Sequence, residues 1–401
     1  MHGDTHSTAT TVRQPEAFEI SVPQSVLDDL HHRLERTRWI DELGEDGWDF
    51  GLSIPYMREL VHYWQHEFDW RAQEAAINRF SHHLATIDNH RVHFIHERGN
   101  GPAPLPIILT HGFPDSFLRF AKIIPMLADP ASHGGNASDA FDVIVPSLPG
   151  FAYSTRDESG PTLFHVADLW HRLLTEHLGY DRFAAHGGDW GSFITEMLAR
   201  DHSSAVVGIH LTDVPYYHAM RPPKDPSRAE DKYLKSIKDF SSAKGAYAMI
   251  QSAQPHALAL GLNDSPAALA GWLIEKFRRW SDCDGDVESS FSKDELLSNV
   301  MIYWVTGTIN QSFGPYSDIG KAGALEWTKQ KLKQVAGSSD VPAGFAMFPK
   351  DLSSPPREWA ERFFSVRRWT EMPRGGHFAA LEEPELLVNE LREFFRPLRH
   401  G

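Results

Sequence analysis

Between Phe18 and Glu97 the apolar positions recur with a helical period. Met57, Leu60, Val61, Trp64 and Phe68 fall at i, i+3, i+4, i+7 and i+11, which predicts an amphipathic helix. Val26, Leu27, Leu30 and Leu34 predict another before it, with Pro23 where a first helical turn tolerates proline. The period then shortens to two. His83 to Ile87 and Val92 to His96 read as strands of a hairpin that turns through Asp88, Asn89 and His90.

After a Gly/Pro-rich link, Gly99 to Pro104, strand and helix patterns alternate. Strands are expected at Ile107 to Leu109, Phe141 to Val145, Arg182 to Ala185 and Val206 to Leu211. Helices are expected at Phe117 to Leu127, Leu163 to Leu178 and Phe193 to Arg200. Such alternation implies a mostly parallel sheet with helices on both faces. It breaks at Pro215, and helical patterns such as Tyr233, Leu234, Ile237 and Phe240 fill the chain to about Gly337. Strands return at Phe345 to Phe348 and Val366 to Trp369. The expected organisation is a tail at 1–15, an N-terminal extension at 16–100, an α/β core at 101–214, a helical cap at 215–337 and the rest of the core at 338–401.

Composition narrows the function. Hydrophobic residues are 41% of the chain, with 24 Phe, 12 Trp and 10 Tyr, too much apolar and aromatic mass for disorder. The net charge of -15 repels phosphate backbones and anionic headgroups, so neither nucleic acid nor a membrane surface is expected as a partner. Cys283 is the single cysteine, which rules out an intrachain disulfide and makes the cytoplasm the expected compartment. Met1 to Pro15 hold no apolar run, and no later stretch approaches the roughly 18 apolar residues a bilayer requires, so a loose tail on a soluble protein is expected.

The segment Gly187-Gly188-Asp189-Trp190-Gly191 follows an expected strand and opens an expected helix. It has the form of a nucleophile elbow, in which small residues flank a reactive residue on a strained turn. Here the reactive position is Asp189. A carboxylate is already ionised at neutral pH and can displace at an sp3 carbon, leaving an alkyl ester on the protein. The leaving group must accept charge, which points to an epoxide oxygen or a halide. The competing reading is an aspartate that caps the following helix.

Other segments complete a constellation. His111-Gly112-Phe113-Pro114 follows the first core strand and can set the N–H of Phe113 opposite that of Trp190 as an oxyanion hole. Asp351 follows one late strand and His377 the next, so the chain order is nucleophile, acid, histidine. His377, oriented by Asp351, would remove a proton from the water that cleaves the ester. Asp213, after the strand ending at Leu211, is the alternative acid. His62 and His66 at i, i+4 read as a solvated face rather than a metal site. Asp282, Asp284 and Asp286 read as a polar loop, because Lys293 stands where a calcium loop needs glutamate. With no Gly-rich nucleotide fingerprint, no cofactor is expected.

Taken together, these segments resemble the α/β-hydrolase-fold epoxide hydrolases, in the microsomal-type and fungal branch that carries a helical N-terminal extension. The likeness spans nearly the whole chain after Pro15. It is carried by Phe68-Asp69-Trp70-Arg71, Val92-His93-Phe94-Ile95-His96, His111-Gly112-Phe113-Pro114, Gly188-Asp189-Trp190-Gly191, Asn263-Asp264-Ser265-Pro266, Tyr303-Trp304 and Gly375-Gly376-His377-Phe378. The resemblance implies an α/β-hydrolase fold with a helical cap, and two cap tyrosines that bind and protonate the epoxide oxygen. By position these are Tyr247 and Tyr316. Tyr303 competes, but its neighbours Met301, Ile302, Trp304 and Val305 read as core. His111, Pro114 and Trp190 are expected to touch substrate. Asp351 stands where some relatives carry Glu, and Phe113 where many carry Trp.

The expected activity is therefore hydrolysis of an organic epoxide to a vicinal diol through an ester on Asp189, with a small-molecule epoxide and water as partners. A homodimer is left open. Two other readings stand beside it: a haloalkane dehalogenase, which would use ring N–H donors such as that of Trp190 to hold halide, and a non-catalytic binding protein on the same scaffold.

Overall fold

A computed structural model describes residues 14–44, 47–156, 162–220, 222–320 and 339–399. The expected tail, up to residue 13, the last part of the expected cap, 321–337, and residue 338 lie outside the described residues.

Among the described residues, nine strands form one sheet: β1 (Glu16–Ala17), β2 (His82–Ile87), β3 (His90–Glu97), β4 (Leu105–Thr110), β5 (Phe141–Pro146), β6 (Phe183–Gly187), β7 (Val206–Leu211), β8 (Ser339–Met347) and β9 (Phe364–Glu371). Their order is β1-β2-β3-β5-β4-β6-β7-β8-β9. Pairing is antiparallel from β1 through β3 to β5 and parallel from there on. The central strands β4 to β7 are almost wholly buried and apolar, as a parallel sheet covered on both faces requires. Helix Trp190–Asp201 packs on β6 and β7, while helix Pro384–Phe395 packs on β7, β8 and helix Ile123–Ala128. This is the α/β-hydrolase fold.

The expected elements are present, with local differences. The hairpin turns on two residues, Asp88 and Asn89, both at positive φ (48° and 65°), so His90 already pairs in β3. That is the backbone a tight two-residue hairpin needs. The helix over Met57 stops at His66, because Asp69 caps a new helix, Trp70–Ile77, by accepting from the Ala72 N–H at 3.1 Å. Phe68 falls between the two helices. The stretch Phe117 to Leu127 is a tight turn, Phe117–Phe120, followed by the short helix Ile123–Ala128.

The N-terminal extension grips the cap. Arg33 pairs with Asp264 at 2.7 Å, Lys293 with Glu59 at 2.7 Å, and the Tyr63 hydroxyl donates to Asp294 at 2.9 Å. Exposed ion pairs of this kind contribute little each, about 0–1 kcal/mol. The burial of Leu27, Leu30, Leu34, Met57, Leu60 and Trp64 is the larger anchor. Cap helices Arg228–Lys244, Ala246–Ala253, Pro255–Asp264, Pro266–Trp280, Lys293–Thr306 and Gly314–Gly320 stand between β7 and β8 in the chain, and two of them bring Tyr247 and Tyr316 to a cavity shared with Asp189, just past the end of β6. None of the described helices is long and apolar enough to cross a membrane.

Candidate active site

At the end of β6 the chain turns sharply into helix Trp190–Asp201, with Asp189 at φ 56°, ψ -127°. A non-glycine residue there is strained by roughly 1–3 kcal/mol. The turn closes only because its flanks are glycine: a Cβ on Gly187 would lie 2.3 Å from the Gly191 carbonyl carbon, and one on Gly191 would lie 1.9 Å from the Thr110 oxygen. Although Asp189 occupies the capping position, its side chain makes no capping bond. Instead, Oδ1 accepts the Phe113 N–H at 2.9 Å, and the Trp190 N–H beside it also favours the charged carboxylate. Thus the two backbone donors expected as a pair converge on the residue expected as nucleophile. Burial raises the Asp189 pKa, while His377 and the two N–H groups oppose the rise.

His377 stands opposite. Its Nδ1 lies 2.7 Å from Asp351 Oδ1 and its Nε2 is 3.6 Å from Asp189 Oδ2. Burial pulls the imidazole pKa down, but the charge and hydrogen bond of Asp351 outweigh it, and the net shift is upward. Asp351 is therefore the carboxylate that holds His377. Asp213 lies in the same region, with Oδ1 buried and without a partner among the described residues; burial and the neighbouring Asp351 push it up to about 7.

Above Asp189 is a cavity of about 380 Å³, lined by Trp190, Phe193, Asp213, Tyr216, Tyr217, Phe240, Met249 and Leu352 together with Tyr247 and Tyr316. The rings of Tyr247 and Tyr316 meet edge to face at 5.9 Å, and Tyr316 also packs on Trp190 at 4.8 Å and Phe113 at 5.7 Å. Burial, aided by the nearby Asp189 charge, raises both phenols above their ordinary value, so both keep their protons at neutral pH. Tyr303 is turned away: its hydroxyl donates to the Asp115 carbonyl at 2.8 Å in the core.

Two expected substrate contacts are placed elsewhere. His111 is fully buried; Nδ1 lies 3.0 Å from the Gly112 oxygen and Nε2 accepts the Leu148 N–H at 3.1 Å, so both ring nitrogens serve the backbone. Pro114 is buried, and its carbonyl accepts from Asn299 at 2.9 Å. Neither lines the cavity, whereas Trp190 does. A larger cleft, about 630 Å³, opens between the N-terminal extension and helix Lys293–Thr306, but none of Asp189, His377, Tyr247 or Tyr316 faces it. Volume alone does not mark the chemistry. Of the other acidic candidates, Asp282 accepts the Gly375 N–H and Asp286 the Glu288 N–H.

Sequence reasoning missed Arg119. Fully buried, it bonds the Asp115 carboxylate and the His377 carbonyl, while Asp115 accepts the Gly112 N–H at 3.1 Å. One buried ion pair thus ties the loop carrying Phe113 to the loop carrying His377. Its trace in the sequence is an acid and a base four apart just after the Gly112-Phe113 turn.

Fold and elbow define an α/β-hydrolase with aspartate at the nucleophile position. The alpha/beta hydrolase fold family model matches residues 106–243, and the model for the epoxide hydrolase N terminus matches residues 15–120. A protein of Stigmatella aurantiaca (strain DW4/3-1), provisionally named an epoxide hydrolase, is 40% identical over 95% of this chain and 85% of its own. Epoxide hydrolase 1 of Sus scrofa is 33% identical over 94% of this chain and 87% of its own. The structure of Aspergillus niger epoxide hydrolase superposes with a TM-score of 0.82 at 29% identity, covering 96% of this chain and 97% of that one. The chain belongs to the epoxide hydrolase family.

Proposed function

We propose that the protein hydrolyses a small-molecule epoxide to a vicinal diol in two covalent steps. Asp189 Oδ2 attacks an epoxide carbon and the ring C–O bond breaks. Tyr247 or Tyr316 gives its proton to the departing oxygen, leaving a hydroxyalkyl ester on Asp189 and a phenolate. His377 then takes a proton from water, whose hydroxide adds to the ester carbonyl carbon. The Phe113 and Trp190 N–H groups hold the resulting oxyanion. Collapse expels the diol oxygen, which is protonated by the imidazolium, and the proton of the new Asp189 carboxyl group restores the tyrosine.

The observation that carries this reading is the division of labour between the two oxygens of Asp189. Oδ1 accepts the Phe113 N–H and becomes the ester carbonyl oxygen, while Oδ2 faces His377 and is the atom free to attack. A dehalogenase would share the aspartate but would have no use for two protonated phenols on the opposite wall. A cavity wall of Phe193, Phe240 and Met249 suits an apolar, bulky epoxide.

The test is intact mass of the His377→Gln variant after exposure to aryl and alkyl epoxides. An added mass equal to the epoxide, absent from the Asp189→Asn variant, is expected. An adduct formed from haloalkanes and from no epoxide would transfer the protein to the dehalogenases.

A further inference from the structure

The loop that carries His377 spends four consecutive N–H groups on three acceptors. Gly375 donates to Asp282 Oδ2 at 2.9 Å and His377 to the Trp280 carbonyl at 2.8 Å, both at the end of cap helix Pro266–Trp280. The alternate pair, Gly376 and Phe378, donates to Glu382 at 3.0 and 2.8 Å. The same Glu382 carboxylate accepts the Asp282 N–H at 2.7 Å, so it binds loop and cap together. The approach is close: a Cβ on Gly376 would lie 2.7 Å from the Trp280 carbonyl oxygen. Side chains repeat the link, with Trp280 edge-on to the His377 ring at 5.4 Å and Phe277 stacked on Phe378 at 4.2 Å.

We propose that Glu382 is a positioning residue: it registers the His377 imidazole against the end of the cap, so that cap docking and the placing of the general base are one structural event. The inference rests on the reading of His377 as the base in ester cleavage. Three backbone donors converge on one carboxylate, and two of them flank the imidazole directly, so loss of the carboxylate frees the ring to drift from the Asp189 ester. Near-attack geometry tolerates little drift; a displacement of about 1 Å can cost about a hundredfold in rate. Attack by Asp189 on the epoxide does not pass through His377 and is left largely alone. Glu382 therefore acts on one half-reaction and not the other.

Glu382→Gln preserves size and one acceptor oxygen but sets an amide against the Asp282 and Gly376 N–H groups. Asp282→Ala removes only the carboxylate that accepts the Gly375 N–H and leaves the backbone N–H of residue 282 on Glu382. Ester formation and ester decay are followed separately by rapid quench and intact mass, using styrene oxide. Glu382→Gln is expected to slow decay by about ten- to a hundredfold, with formation within about threefold of the unmodified protein, so that ester accumulates. Asp282→Ala is expected to act in the same direction and less. Equal slowing of both steps would make Glu382 merely structural and overturn the inference, as would unchanged decay in both variants. If the unmodified protein and His377→Gln form no ester from the epoxide, the underlying reading falls first, and the inference with it.

Discussion

His377 Nε2 and Asp189 Oδ2 face one another across 3.6 Å, and among the described residues Nε2 has no hydrogen-bond partner. In the proposed mechanism turnover depends on the charge of the imidazole, since only neutral Nε2 can take a proton from water. Asp351 raises the His377 pKa, so the ring stays protonated to higher pH and activity climbs as pH rises through that value. In Asp351→Asn the raising charge is gone and the lowering effect of burial remains. The acidic limb of the ester-decay profile should shift to lower pH, with the plateau rate reduced by about 10²-fold or more. A limb that stays in place would assign the titration to another group.

Tyr247 and Tyr316 touch each other at the wall facing Asp189. Either phenol can serve the ring oxygen alone, so each single Phe variant should lose about 10–100-fold in ester formation, and the double variant should lose it altogether. Ester decay, measured on ester already formed, should change little in the single variants.

Asp213 gives a stability prediction. Its folded value, about 7, lies above the ordinary carboxylate value near 3.9, so the folded state binds a proton that the unfolded chain has released. Stability therefore falls as pH rises between those values, and the cost is complete above them. Asp213→Asn removes it. The variant should unfold later in urea than the unmodified protein at about pH 8.5, by on the order of 1–3 kcal/mol, and by little at about pH 4. Equal differences at the two pH values would contradict the assignment.

Gly187→Ala forces a methyl group into the backbone of Gly191, 2.3 Å away. The two nearest atoms are backbone and cannot rotate away, so the elbow must open. The expected result is destabilisation of more than about 3 kcal/mol by urea unfolding and no ester on any protein that remains folded.

Much of this was legible in the chain because local rules and function coincide. Gly187-Gly188-Asp189-Trp190-Gly191 reads as an elbow, since its close approach to Gly191 and Thr110 demands glycine at fixed spacing. The strand runs Ile107 to Leu109 and Val206 to Leu211 appear in place, because a parallel sheet buried on both faces leaves continuous apolar segments. What was not legible depends on distant partners. His111 reads as a substrate contact beside the oxyanion loop, and only the Leu148 N–H, 37 positions away, reveals that its ring is spent on the backbone. Arg119 reaches the His377 carbonyl across 258 positions and Asp282 reaches Glu382 across 100, which no periodicity records. The cavity wall is likewise assembled from Phe240, Met249 and Ile319 on separate cap helices.

The central claim is that the first oxygen delivered to the epoxide carbon comes from Asp189 and not from water. Single turnover in ¹⁸O-labelled water, with protein in excess over epoxide, tests it directly. The account predicts unlabelled diol from the first turnover, with ¹⁸O appearing in the peptide that contains Asp189. Label in the diol and none in that peptide would mean that water attacks the epoxide directly, and would contradict it.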